Sequence, residues 1–259
     1  MIFIRPLTSA FRSALVLLSA ATLLFTGGAL PSTATAAALD LPSVARSIGR
    51  IECRADGKRF ISTATLVRNR QTVLSVSHFN IHEAENKVIP VQQCTFQLLS
   101  SEGKVEFRSA FKVFARGGVG MNLELSRATD WAILTLTDES PIDRQPVDVA
   151  VNEDLSDAGR IDIAGYASNH NRLKTQVSDT NCLARPTRSG SIILRHKCDT
   201  APGMSGAPLF ATIDGRIQVV AIHSAREKDA GLAVAIAGFA AAKLRSATTS
   251  TDRIVLASR

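Results

Sequence analysis

The sequence predicts an all-β protein, an antiparallel barrel or sandwich built from two successive sets of strands. Three observations carry that prediction. From residue 48 onward, short runs rich in Val, Ile, Thr and Phe recur roughly every ten residues, the density and spacing expected of strands. Turn-forming residues stand between them, as in Asp56-Gly57, Arg68-Asn69-Arg70, Ser101-Glu102-Gly103 and Gly117-Gly118. Midway, the polar stretch Thr137-Asp138-Glu139-Ser140-Pro141-Ile142-Asp143-Arg144-Gln145-Pro146 interrupts the pattern and reads as a crossover between two modules.

In chain order, residues 1–38 come first and stand apart from the fold. Arg5 and Arg12 precede an apolar run from Ala14 to Phe25, and the small residues Ala34-Thr35-Ala36-Ala37-Ala38 follow. A charged start, short apolar middle and small-residue exit form an export signal. The run is shorter than the roughly 20 apolar residues a membrane span needs. Cleavage near Ala36 or Ala38 is therefore expected, with no stable membrane anchor afterwards and a secreted or periplasmic destination.

The first module, residues 39–140, holds candidate strands Ile48–Arg54, Phe60–Val67, Thr72–Val76, Val91–Leu99, Val105–Phe114 and Trp131–Leu136. The second, residues 141–246, holds Arg160–Tyr166, Leu173–Leu183, Ile192–Lys197, Ala207–Ala211, Ile217–His223 and Leu232–Ile236. An Ala-rich segment from Phe239 to Leu244 has helical propensity and ends the fold. Residues 247–259 read as a fraying tail.

Composition narrows the function. The 259 residues are 45% hydrophobic, enough for a sizeable core. The formal charge is +7, but the Lys and Arg are spread out, which indicates a solvated surface. Aromatics are only 5%, too few for a base-stacking surface, so no nucleic-acid partner is expected. Four cysteines in an exported chain read as disulfides. Cys53–Cys94 and Cys182–Cys198 are the favoured pairs, because each then stays within one half of the chain. Cys182 and Cys198 also lie at equal distances from Gly190, opposite one another on a hairpin. No Cys-x-x-Cys pair is present, so a zinc site is not expected; no cofactor is expected.

The chemistry centres on Cys198-Asp199-Thr200-Ala201-Pro202-Gly203-Met204-Ser205-Gly206-Ala207-Pro208. Such a Gly- and Pro-rich loop can expose a hydroxyl while turning backbone N–H groups towards one point, as acyl transfer requires. A serine nucleophile needs an imidazole, and the imidazole an orienting acid. His78 ends the apolar run Thr72-Val73-Leu74-Ser75-Val76-Ser77, a position that opens onto a cleft. His82 is four residues on, but Phe79 stands where a metalloprotease helix has Glu, so His82 reads as a surface residue on a helical turn. His170 and His196 sit among polar or basic neighbours and read as solvated; His223 ends an apolar strand. Asp130 opens the apolar strand Asp130-Trp131-Ala132-Ile133-Leu134, where a carboxylate needs a partner.

These local contexts, in the order His78, Asp130, Ser205, resemble the trypsin/chymotrypsin-like serine proteases over roughly residues 45 to 245. Ser75-Val76-Ser77-His78 stands where that family has Thr-Ala-Ala-His. Asp130-Trp131-Ala132-Ile133-Leu134 is similar to its Asp-x-Ala-x-Leu segment. Gly203-Met204-Ser205-Gly206-Ala207-Pro208 matches its Gly-x-Ser-Gly-x-Pro. The Asp199-Thr200 lead-in and the strand Val219-Val220-Ala221-Ile222-His223 resemble the bacterial secreted branch that includes glutamyl endopeptidases. Two features depart. No Cys follows His78, and Met204 replaces the acid that pairs with a new N-terminus after zymogen cleavage, so that activation route is not expected. An α/β-hydrolase is excluded, because its elbow is Gly-x-Ser-x-Gly and its order is Ser, acid, His.

The resemblance implies two six-stranded antiparallel barrels with the site in the cleft between them, and a monomer acting on protein or peptide substrates. Ser205 is then the nucleophile, His78 the general base and acid, and Asp130 the orienting carboxylate. The N–H groups of Gly203 and Ser205 form the oxyanion hole. Three specificities stay open. Asp199 at the pocket floor favours a basic residue, Thr200 with His223 favours an acidic one, and an Asp199 turned away favours neither charge. Two alternative functions also remain: a non-catalytic binder of anionic partners on the same scaffold, and an esterase using the same three residues.

Overall fold

The computed structural model describes residues 41–82, 85, 87–118, 127–151, 159–168, 176–237 and 243–244. The expected export signal, His170 and the tail 247–259 lie outside these residues. So does all of the proposed C-terminal helix except Lys243 and Leu244, which are helical.

After a short helix, Leu41–Ala45, the chain forms β1 (Ile48–Ala55), β2 (Lys58–Leu66) and β3 (Thr72–Ser75). Next come β4 (Ile81–His82) and β5 (Lys87–Val88), a separate two-stranded ribbon that the sequence patterning did not mark. Then follow β6 (Cys94–Leu99), β7 (Val105–Ser109), β8 (Phe111–Arg116) and β9 (Ala132–Leu136). The first sheet runs β7-β6-β1-β2-β3-β9-β8, every pairing antiparallel. The expected strand Val105–Phe114 is divided at Ala110 because it changes partner there. β7 pairs with β6 and β8 with β9, so the bent segment turns the sheet back on itself. Val91–Gln93, expected as strand, is a 3₁₀ turn following Pro90.

The crossover is bonded to both sheets. Val147 bridges Val67, and β10 (Asp148–Val149) lies parallel to β15 (Arg216–Glu227). The second sheet contains β11 (Arg160–Tyr166), β12 (Gln176–Pro186), β13 (Ile193–His196), β14 (Pro208–Ile213), β15 and β16 (Ala230–Ala235). Its order β15-β14-β11-β12-β13-β16 is closed by the β15–β16 pairing into a six-stranded barrel. The expected all-β class with two barrel-like sheets holds; of the two six-stranded barrels expected, the second is closed with six strands and the first is a barrel-like sheet of seven.

Alternating apolar positions fill each interior. Ile51, Leu66, Leu74, Phe96 and Ile133 pack within the first sheet, and that core continues through Tyr166, Phe210 and Ile222. A second core holds Ile163, Leu194, Leu209 and Val220. Both expected disulfides are present. Cys53 and Cys94 face each other in the β1–β6 register. Cys182–Cys198 lies two residues beyond the Ala184–His196 pair in the β12–β13 register, as the equal arms about Gly190 require.

Candidate active site

Strand register brings the first two site residues together. β3 pairs with β9 so that Ser75 faces Ala132. The residues beyond those ends, the 3₁₀ turn Ser77–Asn80 and Asp130, therefore meet at one mouth of the sheet. His78 Nδ1 lies 2.8 Å from Asp130 Oδ2 and 3.0 Å from Oδ1. Asp130 Oδ1 also accepts the backbone N–H groups of Ser77 and His78, at 3.0 and 3.2 Å, and the Ser77 hydroxyl at 3.0 Å. From the second sheet, Ser224 donates its hydroxyl to Oδ2. Burial by itself pushes the Asp130 carboxyl up. The His78 hydrogen bond and charge, with the Ser224 and Ser77 hydroxyls, outweigh that and hold it below the usual carboxylate value. With Nδ1–H donating to an ionised Asp130, the lone pair of His78 sits on Nε2.

Ser205 lies on the loop between β13 and β14, gripped from both sides. Thr63 on β2 donates its N–H to the Ser205 carbonyl at 2.8 Å and its hydroxyl to the Gly203 carbonyl at 2.9 Å. Gly206 donates to the His223 carbonyl at 2.7 Å, and His223 donates to the Ala207 carbonyl at 2.8 Å. The grip explains the glycines. Gly203 and Gly206 have φ of 97° and 87°, and a Cβ on Gly206 would collide with the Thr63 carbonyl. Among the described residues, the N–H groups of Gly203 and Ser205 have no protein acceptor. His78, Gly203, Ser205, His223 and Ser224 line one cavity of about 970 Å³.

The three candidate specificity residues separate. Asp199 lines the same cavity, but its side chain is 84% exposed and faces Arg226 at 3.8 Å, while its N–H is held by Asp179 at 2.7 Å. Thr200 is buried, its hydroxyl without a partner, and its carbonyl accepts Arg226 at 2.8 Å. His223 is buried against the cavity, with Nδ1 3.0 Å from His196 Nε2. Desolvation, aided by the neighbouring His196 and His78 charges, lowers His223 to about 3. Desolvation against a weaker pull from Asp179 lowers His196 to about 4. Both rings are neutral at pH 7.

Two expectations are corrected. His196 is 1% exposed, not solvated, because register sets it opposite Gly231, whose missing side chain leaves room for the ring. His82 belongs to β4 and is nearly buried, edge-on to Phe60 and bonded to Glu85, so it is neither exposed nor on a helical turn. Sequence reasoning also missed Ser224 and Thr63. Ser224 carried a signal, as a hydroxyl beside His223 at the cleft end of a strand; Thr63 reads as any strand threonine. Among the described residues, Asp179, Cys182 and Cys198 form the one group with metal-ligand spacing, and both sulfurs are joined in the disulfide.

A family model described as trypsin-like peptidase domain matches residues 62–222. No curated protein matches at the sequence level. Among solved structures, the chain is similar to the thermostable serine protease AL20 from an extremophilic microorganism. The TM-score is 0.64 at 16% identity, over 80% of this chain and 99% of that one. The protease Anisep from Arthrobacter nicotinovorans gives 0.59 at 14%, covering 78% and 95%. A Glu endopeptidase gives 0.59 at 16%, covering 82% and 95%.

Proposed function

The chain belongs to the trypsin-like peptidase family, and from that premise we propose that it is an exported serine endopeptidase working through His78, Asp130 and Ser205. The observation that carries the proposal is the clamp on Asp130, which receives His78 from one sheet and Ser224 from the other. Such a clamp fixes both the tautomer and the direction of the imidazole.

The proposed steps are these. Ser205 Oγ attacks the scissile carbonyl while His78 Nε2 takes its proton, and Asp130 stabilises the imidazolium. The carbonyl oxygen, now anionic, is received by the unpartnered N–H groups of Gly203 and Ser205. His78 returns the proton to the leaving nitrogen, the C–N bond breaks, and an acyl ester remains on Ser205. Water, deprotonated by His78, then splits the ester and restores the hydroxyl.

Pocket chemistry favours an acidic residue on the acyl side. Asp199 faces Arg226 and solvent, which removes the charge that would select Lys or Arg. Among the described residues, the buried His196 Nδ1 has no partner. A stranded N–H there costs more than a stranded lone pair, so the favoured tautomer of His196 donates Nε2–H to His223 Nδ1. His223 then carries its proton on Nε2, a donor left to the cavity.

Ser205→Ala abolishes peptide hydrolysis and labelling by a fluorophosphonate probe. Wild-type protein that never labels, yet binds heparin-type polyanions in a salt-sensitive way, overturns the proposal in favour of a non-catalytic binder. Hydrolysis of simple esters but of no peptide selects the esterase. Matched peptides ending in Glu, Arg or Leu on the acyl side test the pocket; equal rates defeat the acidic preference.

A further inference from the structure

The cavity extends well past His78 along the first sheet, over a surface that the proposed chemistry leaves unexplained. Phe60, Ile61, Phe79, His82 and Arg59 line this half. The two halves have different jobs. The oxyanion donors and the Thr200–His223 pocket belong to the second sheet and receive the acyl part of a substrate. His78 hands its proton to the leaving nitrogen, so the departing peptide lies on the His78 side, against the first sheet.

Charges on that wall do not balance. In the β1–β2 register Arg50 faces Thr63, Glu52 faces Ile61 and Arg54 faces Arg59, so Arg50, Glu52, Arg54 and Arg59 share one face of the sheet. The buried Glu52 carboxylate is approached by three guanidinium groups: Arg54 at 2.7 Å, Arg50 at 3.4 Å and Arg59 at 3.7 Å. Arg54 takes the shortest contact, and Arg59 keeps only the loose one, with its side chain 56% exposed. The other described acids here are engaged elsewhere. Glu85 bonds Lys58 and His82, and Asp56 bonds Lys87. Among the described residues, the three guanidinium groups share one carboxylate, and Arg59 at the cleft end holds it most loosely, at 3.7 Å.

We infer that Arg59 is a specificity-determining residue that selects an acidic side chain among the first residues on the leaving side of the scissile bond. The inference rests on the endopeptidase reading and extends it to the opposite half of the cleft. A substrate carboxylate completes the cluster and replaces the loose contact to Glu52 with a direct, bidentate one. The guanidinium stays largely hydrated, so the gain is modest and falls with ionic strength.

The test uses peptides with a constant acyl half, carrying Glu, Ala or Lys at each of the first three leaving-side positions. Wild-type kcat/KM is expected to be about two- to five-fold higher for Glu than for Ala at one of them, shrinking as salt is raised. Arg59→Ala removes the difference, Arg59→Lys keeps part of it, and Arg59→Glu shifts the preference to Lys, an inversion that misfolding cannot produce. Equal rates for all three peptides, or a preference that survives Arg59→Ala, overturn the inference and leave the endopeptidase reading standing. If no peptide is cut, affinity of the Ser205→Ala protein for the same peptides decides the matter. Tighter binding of the acidic peptide that is lost with Arg59→Ala supports the role, and equal binding ends it.

Discussion

His78 and His223 line one cavity and differ in what stands behind the ring. Behind His78 is a carboxylate; behind His223 is a second imidazole, His196. Their neighbours on β15 are adjacent in sequence. Ser224 reaches across to Asp130, while His223 turns inward to His196. An imidazole backed by a carboxylate can gain a proton during a reaction, because the positive charge has a partner. One backed by another buried imidazole cannot, because a charge on either ring disfavours charge on the other, and desolvation penalises both. The first arrangement suits proton transfer; the second suits a fixed, neutral hydrogen-bond donor.

The sharpest way to break that comparison is to neutralise the carboxylate. Asp130→Asn keeps the shape and the neighbours but removes the charge and the preference for Nδ1–H. Peptide kcat is expected to fall by roughly 10³- to 10⁴-fold with KM little changed. A fall of under ten-fold in steady-state hydrolysis means that His78 does not rely on Asp130.

The second site is tested by crowding it. A Cβ on Gly231 would come within 2.2 Å of the buried His196 ring. Gly231→Ala is expected to cost about 3 kcal/mol of stability, the upper range of overpacking. Urea unfolding measures it, and an unchanged midpoint shows that the ring is not wedged there.

How much of this was legible differs between the two sites. His78, Asp130 and Ser205, the residues of the proposed chemistry, were picked out because a strand end, a strand-opening acid and a Gly-flanked serine, each a modest signal alone, stand in the family's order. The paired strands were readable from β-branched density, and the Cys182–Cys198 bridge from symmetry about Gly190. His196 was misread because Arg195 and Lys197 flank it. In a strand, alternate residues face opposite ways, so charged neighbours say nothing about the residue between them. The bend at Ala110 was invisible, because a strand that changes partner keeps its composition. The close approach of Thr63 to Gly203 and Ser205 depends on how the two sheets meet, which no local pattern encodes.

Neutrality of the buried pair gives a pH dependence with a definite sign. Both histidines have folded values, about 4 and about 3, below the ordinary 6.5. Above pH 6.5 they are neutral folded or unfolded and affect nothing. As pH falls below 6.5 the unfolded chain takes up protons that the folded chain refuses, so stability drops until the folded values are reached. At pH 4.5 the loss is roughly 3 kcal/mol for each histidine that stays neutral. Asp130, held below the usual carboxylate value, stays ionised throughout that interval and does not confuse the reading. His196→Gln is expected to reduce the stability difference between pH 7 and 4.5 by roughly half, measured by urea unfolding at each pH. Identical differences in variant and wild type mean that the ring titrates normally.

The smallest effect separates adjacent residues on β15. Ser224→Ala removes one donor from Asp130 and leaves His78, Ser77 and two backbone N–H groups in place. A single hydrogen bond to a charged group is worth about 1.5 kcal/mol, so kcat at pH 7 is expected to fall by up to about ten-fold. The lost donor had favoured the ionised carboxylate, so the Asp130 carboxyl rises towards its ordinary value. The deficit therefore widens as pH drops from 7 towards 4, where the variant begins to protonate Asp130 before the wild type does. The stability loss between pH 7 and 4.5 should be that of wild type, because the His196–His223 pair is untouched. A kcat deficit that is constant with pH assigns Ser224 to packing alone, and a changed stability slope shows that the two histidine sites are not independent.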